Sequence, residues 1–212
     1  MHRLVEIALC TIGVGALLWR AAAASGVELE PGGSPGRAAL AICQQADLVP
    51  AAERASVLAV GLKRAEDAVN ADPRDPAAHF AVFCNLGKSL LKRSGWRLFA
   101  ALGDLSRARK EIDIALSLAP DYAGALAAKG TMLVELPRLL GGDADEGLRL
   151  LRRAVALSPE DAKLRLALAH VLDAAGQRDE ALLHASVALV ILERAGPADQ
   201  LADARTLVAS VR

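Results

Sequence analysis

The chain has 212 residues, of which 53% are hydrophobic and only 3% aromatic, and its formal net charge at pH 7 is zero. A neutral chain has no overall attraction for nucleic acid, which makes nucleic acid a poor candidate partner. The excess of alanine and leucine favours helices packed through small side chains over a β-rich fold, which would need more Val, Ile, Tyr and Thr.

Residues 1–24 have the layout of a secretory signal peptide: a basic start, an apolar run and a small-residue stretch. The apolar run from Leu4 to Trp19 contains Glu6 and is shorter than the roughly 20 residues that span a bilayer comfortably. Two interpretations stay open, a cleaved signal peptide or an uncleaved anchor in the inner membrane. Either one predicts a periplasmic or exported protein, with membrane contact only through this segment if it is uncleaved.

Residues 25–36 are rich in glycine and proline and indicate a linker. Beyond it lie two cysteines, Cys43 and Cys84, and an even number in an exported chain permits a disulfide. Both, however, lie in apolar helical patterns, and the axes of neighbouring helices are about 8–10 Å apart. We therefore expect two buried free thiols, with a bridge as the alternative.

From Arg37 onward, helical stretches alternate with turn signals, and no convincing strand appears. The stretches "RAEDAVNADP", "RKEIDIALSLAP" and "LRRAVALSP" each place an alanine five residues before a proline, and "LHASVALVILE" keeps the alanine in register. These alanines are 47, 39 and 34 residues apart. Periods of this size predict stacked helical hairpins. The four alanines are Ala68, Ala115, Ala154 and Ala188.

This pattern resembles the tetratricopeptide repeat, which has a Leu-Gly or Leu-Ala pair in its first helix, a turn glycine, and spaced alanines in its second helix. The best copy, "KLRLALAHVLDAAGQRDEALLHASVAL", supplies the pair Leu168-Ala169 and the turn glycine Gly176. The resemblance implies an all-α protein, a right-handed α-solenoid of about four hairpins over residues 37–195. Residues 197–212 would then form a capping helix, which such a solenoid needs at its end.

Two hairpins are longer than the usual repeat, and both gain their length at the turn between their helices, within "KRSGWRLFAALGD" and "LPRLLGGD". Insertions in a solenoid lie on one face and often carry function. Their side chains are candidate partner contacts, although packing over the end of their own hairpin is the alternative. The candidates are Arg93, Trp96, Arg97 and Phe99 in the first insertion, and Arg138, Leu139 and Leu140 in the second.

Each residue around the second insertion also has a structural reason to be there. Pro137 helps to end one helix, and Gly141 or Gly142 is suited to a left-handed turn. Asp143, followed three residues later by Glu146, forms the start signal of the next helix.

The resemblance further implies that the first helix of each hairpin lines a concave groove. Such a mixed-charge groove suits an extended peptide or a partner's helix. The carboxylate clamp of chaperone-binding members is not reproduced, because Asn85 and Lys88 have no matching residues in the other copies. The candidate groove residues are Cys84, Lys88, Lys92, Thr131, Glu135, Lys163, Leu166, His170 and Asp173.

No catalytic or metal site emerges from the sequence. The segment "LGKS" lacks the upstream glycine of a phosphate loop, since Val82 stands there, and it lies within a helical pattern. The histidines form no HExxH, and no CxxC occurs. We therefore expect no catalytic residue, no metal and no cofactor. An enzyme with a site at the insertions is the rival hypothesis from a different class.

The sequence thus predicts a non-enzymatic interaction scaffold of the bacterial cell envelope, which binds another protein or peptide and whose oligomeric state stays open. The segment "LPRLLGGD" suggests an alternative, because it resembles a segment of the T components of tripartite ATP-independent periplasmic transporters. That resemblance implies a helical-repeat component that oligomerises, pairs with a solute-binding protein and handles a small solute.

Overall fold

A computed structural model describes residues 33–90 and 102–211 of the chain. Within these ranges the protein is helical throughout and has no strand, which confirms the predicted all-α class. A single 3-10 turn, Arg138–Leu140, interrupts the series of α-helices. These helices are α1 Pro35–Gln45, α2 Arg54–Ala71, α3 Pro76–Leu90, α4 Leu102–Leu118, α5 Ala123–Glu135, α6 Ala144–Leu157, α7 Ala162–Ala174, α8 Arg178–Ala195 and α9 Ala198–Val211.

Successive helices pair as hairpins, namely α1 with α2, α3 with α4, α5 with α6 and α7 with α8. Each hairpin also contacts the next one along the chain, and α9 packs against both α8 and α7. Four stacked hairpins followed by one further helix are the arrangement of an α-solenoid, as the repeat spacing predicts.

The repeated alanines explain why the hairpins close tightly. All four alanines of the repeat are at most 3% exposed, and three of them are fully buried. A methyl side chain at the crossing of two helices lets their backbones approach, while larger apolar side chains fill the space on either side. One large core cluster lies in hairpins three and four and in α9, and a second lies in hairpins one and two and reaches α5, with Leu116 packed against both.

Helix α1 begins at Pro35, two residues before the predicted start of the repeat domain at Arg37. Ser34 caps the helix by accepting a hydrogen bond from the Arg37 amide at 3.3 Å, and Pro35 occupies the first helical position, where its missing N–H costs nothing.

The expectation of two free thiols is wrong, because Cys43 of α1 and Cys84 of α3 form a disulfide with their Cα atoms 6.2 Å apart. The usual spacing of helix axes does not apply here. A Cβ atom on Gly36 would lie only 2.3 Å from the Ala78 backbone nitrogen, so the two backbones are in contact. Because α1 and α3 approach each other this closely, the two cysteines lie within bonding distance.

Helix α2 also approaches α3 closely, at Gly61 over Asn85. The Asn85 side chain is 0% exposed, its Nδ2 donates to the Ala81 carbonyl at 2.8 Å, and its Oδ1 has no hydrogen-bond partner. A Cβ atom on Gly61 would lie 2.2 Å from that Oδ1. Asn85 is thus enclosed between two helices and does not face a groove.

We expect Gly61→Ala to lower the free energy of unfolding by about 2 kcal/mol, because the added methyl group forces Asn85 or α2 to move. In an Asn85→Ala background the same substitution should cost less than half as much, since the clashing oxygen is absent. Urea denaturation of the four proteins in this double-mutant cycle measures both values. An equal cost in both backgrounds would contradict the close approach at this crossing.

Candidate functional site

The second insertion forms a compact turn between α5 and α6, here called the insertion turn and defined as residues 136–143. Backbone hydrogen bonds hold it together: the Pro137 carbonyl accepts from the amides of Leu140 at 2.8 Å and Gly142 at 3.0 Å. The Asp143 amide donates to the Leu133 carbonyl at 2.9 Å, which fastens the end of the turn to α5. The added length is therefore ordered structure.

Both glycines of the insertion turn are required by its geometry. Gly141 has φ +76°, in the left-handed region, and a Cβ atom on Gly142 would lie 1.7 Å from the Leu136 carbonyl oxygen. Asp143 then caps α6 by accepting from the Glu146 amide at 3.1 Å. These contacts confirm that the residues that look like a glycine loop build a turn and a helix start.

The insertion turn is also fastened to the preceding hairpin. The Arg109 guanidinium of α4 donates to the Gly141 carbonyl at 2.5 Å. Within the turn, Arg138 is exposed and Leu140 is partly buried, whereas Leu139 is 95% exposed. A large apolar side chain thus stands in solvent on a backbone that two hairpins hold in place.

The candidates of the first insertion, with the neighbouring groove candidate, lie outside the described residues and stay predictions. They are Lys92, Arg93, Trp96, Arg97 and Phe99.

The groove candidates do not form one open surface. Glu135, Lys163 and His170 are exposed, and Thr131 and Asp173 are partly exposed. Leu166 is only 4% exposed and belongs to the core of hairpins three and four, so this candidate is corrected to a core residue. Helix α7 packs against α5, α6 and α8, and Leu166 lies among the apolar side chains that these helices bury.

Lys88 and Cys84 belong to the junction of α1 with α3. Cys84 is bonded to Cys43 and partly exposed. The Lys88 ammonium donates to the Cys43 carbonyl at 2.9 Å and to the Asp47 carboxylate at 2.5 Å. Burial lowers the pKa of Lys88 below its ordinary value, and the nearby positive charge of Lys163 adds to that effect, whereas Asp47 opposes it.

The exposed and partly exposed groove candidates of α5 and α7 are here called the inner surface, and α9 contacts one of them, His170. Its Nε2 lies 2.9 Å from an Asp203 carboxylate oxygen of α9. This contact joins the fourth hairpin to α9. It gives His170 a structural role, since no catalytic group lies beside it among the described residues.

A buried pair that the sequence did not reveal joins His79 of α3 to Glu111 of α4. The His79 Nδ1 lies 2.6 Å from a Glu111 carboxylate oxygen, and its Nε2 lies 2.9 Å from the Pro73 carbonyl. The side chains are only 6% and 14% exposed. The two residues are 32 positions apart, so no local motif signals their contact.

The described residues contain no group of three or more His, Cys, Asp or Glu side chains that could hold a metal ion. The "LGKS" segment, residues 86–89, lies near the C-terminal end of α3 and is not a loop. Of the helices that the structure describes, none is long and apolar enough to cross a membrane.

The paired helices, the buried repeat alanines and the terminal helix define the class: a helical-hairpin repeat protein. Comparison with solved structures identifies the repeat. The chain is similar to TTC0263, a thermophilic TPR protein of Thermus thermophilus, with 23% identity, 92% of this chain and 87% of that chain covered, and a TM-score of 0.62. The fold is therefore that of a tetratricopeptide-repeat protein, as its sequence pattern predicts.

Two further matches are weaker. A MamA structure covers 76% of this chain and 80% of that chain at 15% identity, with a TM-score of 0.48. The match to MamA of Desulfovibrio magneticus RS-1 covers 84% of this chain and 94% of that chain at 19% identity, with a TM-score of 0.46. No family model matches the sequence, and no curated protein matches it.

Proposed function

We propose that this chain is a non-enzymatic scaffold of the bacterial cell envelope that binds another protein or peptide, and that the insertion turn is its primary contact. The observation that carries this proposal is the 95% exposure of Leu139 on a turn fixed by its own backbone and by Arg109.

A fixed apolar side chain is an efficient binding group. Association costs free energy for every loop and side chain that becomes ordered, and a turn that is already ordered avoids most of this cost. Leu139 can enter an apolar pocket of a partner, while the neighbouring Arg138 offers a charged group at the rim of the contact.

The inner surface extends this contact. Glu135 ends α5 immediately before the insertion turn and is exposed. Lys163 and His170 of α7 are exposed as well. These exposed side chains offer separate contacts of mixed charge, which suit a peptide or a helix that also binds the insertion turn.

Two features support the envelope location. The first 24 residues have the pattern of an export signal or anchor. The Cys43–Cys84 disulfide is a kind of bond that persists in oxidising compartments such as the bacterial periplasm and is rare in the cytosol.

Leu139→Asp tests the proposed contact. We expect it to reduce the amount of partner retained from an envelope extract at least tenfold, because a charge replaces the apolar anchor, while stability changes by less than about 0.5 kcal/mol. Leu183→Asp is the matched control, since Leu183 of α8 is 59% exposed and belongs to a different hairpin. Quantitative mass spectrometry of the retained proteins and thermal unfolding measure the two effects. Equal retention by both variants would count against the turn as the contact.

The alternative, a transporter-associated component that handles a small solute, stays a prediction. A trimer with a continuous internal cavity would support it over the scaffold. Sedimentation equilibrium decides between the two: a monomer that still retains its partner favours the scaffold, and a trimer favours the alternative.

A further inference from the structure

The disulfide lies at one end of the contact between α1 and α3. At the other end, Gly36 and Ala78 bring the two backbones together, and Ala39 is part of the core of hairpins one and two. The end that carries the disulfide belongs instead to a small separate cluster, formed by Cys43, Ala46 and Leu58 with two partly buried neighbours. The start of α1 therefore packs into the larger core cluster, whereas its end packs into a cluster that includes the disulfide itself.

Lys88 lies at the same end and depends on the position of α1. It follows Cys84 by one helical turn, so the two side chains share a face of α3. Its ammonium satisfies the Cys43 carbonyl, one of the last carbonyls of α1, and pairs with Asp47 in the turn that follows. The Lys88 side chain is 26% exposed in this arrangement.

The charged groups near Lys88 have opposite effects on its pKa. Positive Lys163 and Arg54 are near enough to lower the pKa of Lys88, in the same direction as its burial. Two groups offset this repulsion: the Cys43 carbonyl at the end of α1 and the Asp47 carboxylate in the turn that follows. If that end moves away, Lys88 loses both of these partners, and its ammonium is then best placed in solvent.

We propose that the Cys43–Cys84 disulfide is a redox latch, which keeps Lys88 bound to the end of α1, and that reduction by a dithiol frees this end and returns Lys88 to the inner surface. The proposal goes beyond the scaffold function, because it concerns control of the inner surface and does not involve the insertion turn. In the oxidised state Lys88 is withheld from a partner, and in the reduced state it joins Lys163 as a pair of accessible cations.

The chemistry is thiol–disulfide exchange. Cys43 is 0% exposed and Cys84 is partly exposed, so a thiolate of the dithiol attacks the Cys84 sulfur. The S–S bond breaks, and Cys43 leaves as a thiolate that takes up a proton. The second thiol of the dithiol then displaces Cys84, so the protein gains two electrons and two protons and the dithiol becomes a disulfide.

Hydrogen exchange on the full chain, oxidised and treated with dithiothreitol, tests the freeing of α1. The amides of Ala46, Asp47 and Leu48 donate to carbonyls at the end of α1, at 3.2, 3.2 and 2.9 Å, and should exchange at least tenfold faster after reduction. The Ala175 amide, which donates to the Val171 carbonyl at the end of α7, is the matched reference and should not change. Unchanged exchange at the end of α1, with both thiols shown to be free by alkylation, would overturn the latch.

A second readout follows Lys88 itself. A fluorescent hexaglutamate peptide should bind at least fivefold more tightly to the reduced chain, and Lys88→Gln should abolish this difference, whereas Lys63→Gln should leave it intact. Equal affinity for both redox states overturns the proposal. A loss of the helical circular dichroism on reduction also overturns the proposal, because the disulfide would then be required for the whole fold. The insertion-turn variant Leu139→Asp keeps the redox response if the latch is correct, whatever its effect on partner capture.

Discussion

The double substitution Cys43→Ser/Cys84→Ser is expected to lower the free energy of unfolding by about 3–4 kcal/mol. The disulfide joins residues 41 positions apart, and a cross-link of this span removes a large part of the conformational freedom of the unfolded chain. A loss of this size is a substantial fraction of the stability of a typical domain, yet it leaves the chain folded near 25 °C.

Urea denaturation of the oxidised wild type, the reduced wild type and the serine variant measures this effect. The two forms without the bond should agree with each other to within about 1 kcal/mol, because both lack the same constraint. A serine variant as stable as the oxidised wild type would contradict this account. The disulfide would then not stabilise the fold by restricting the unfolded chain.

The substitution His79→Ala is expected to cost about 3–4 kcal/mol, because it leaves the Glu111 carboxylate mostly buried and without its partner. It also removes the hydrogen bond between the His79 ring and the Pro73 carbonyl, which fastens the turn between α2 and α3. The effect therefore combines an unpaired buried charge with a loosened turn.

The exposed pair of Lys63 and Asp67 is the matched control for this prediction. Its side chains are 75% and 56% exposed, and Lys63→Ala should cost less than about 0.5 kcal/mol. Chemical denaturation of the two variants side by side gives the comparison. If His79→Ala costs no more than Lys63→Ala, the buried pair does not stabilise the second hairpin.

The repeat was predictable from the sequence because its signal is local. An alanine five residues before a proline, recurring at intervals of one hairpin, fixes where the second helices lie and which of their faces is buried. The insertion turn was predictable for the same reason. Gly141, Gly142 and Asp143 each have a conformational or capping preference that acts within a few residues.

Contacts between distant segments were not predictable. The free-thiol expectation assumed ordinary helix spacing, whereas the small side chains of Gly36 and Ala78 bring α1 and α3 together. The register of Leu166 in the repeat predicts a groove residue, but the packing of neighbouring helices buries it in the core. The support that Arg109 gives to the insertion turn spans 32 residues and has no local pattern.

The most direct test of the scaffold account replaces residues 137–141 with an ordinary short repeat turn and measures the dissociation constant for the purified partner that the wild type retains. The account predicts at least tenfold weaker binding, with thermal unfolding and helical content close to those of the wild type. Unchanged affinity in a folded variant would contradict it, because the insertion turn would then be structural and binding would reside elsewhere on the chain.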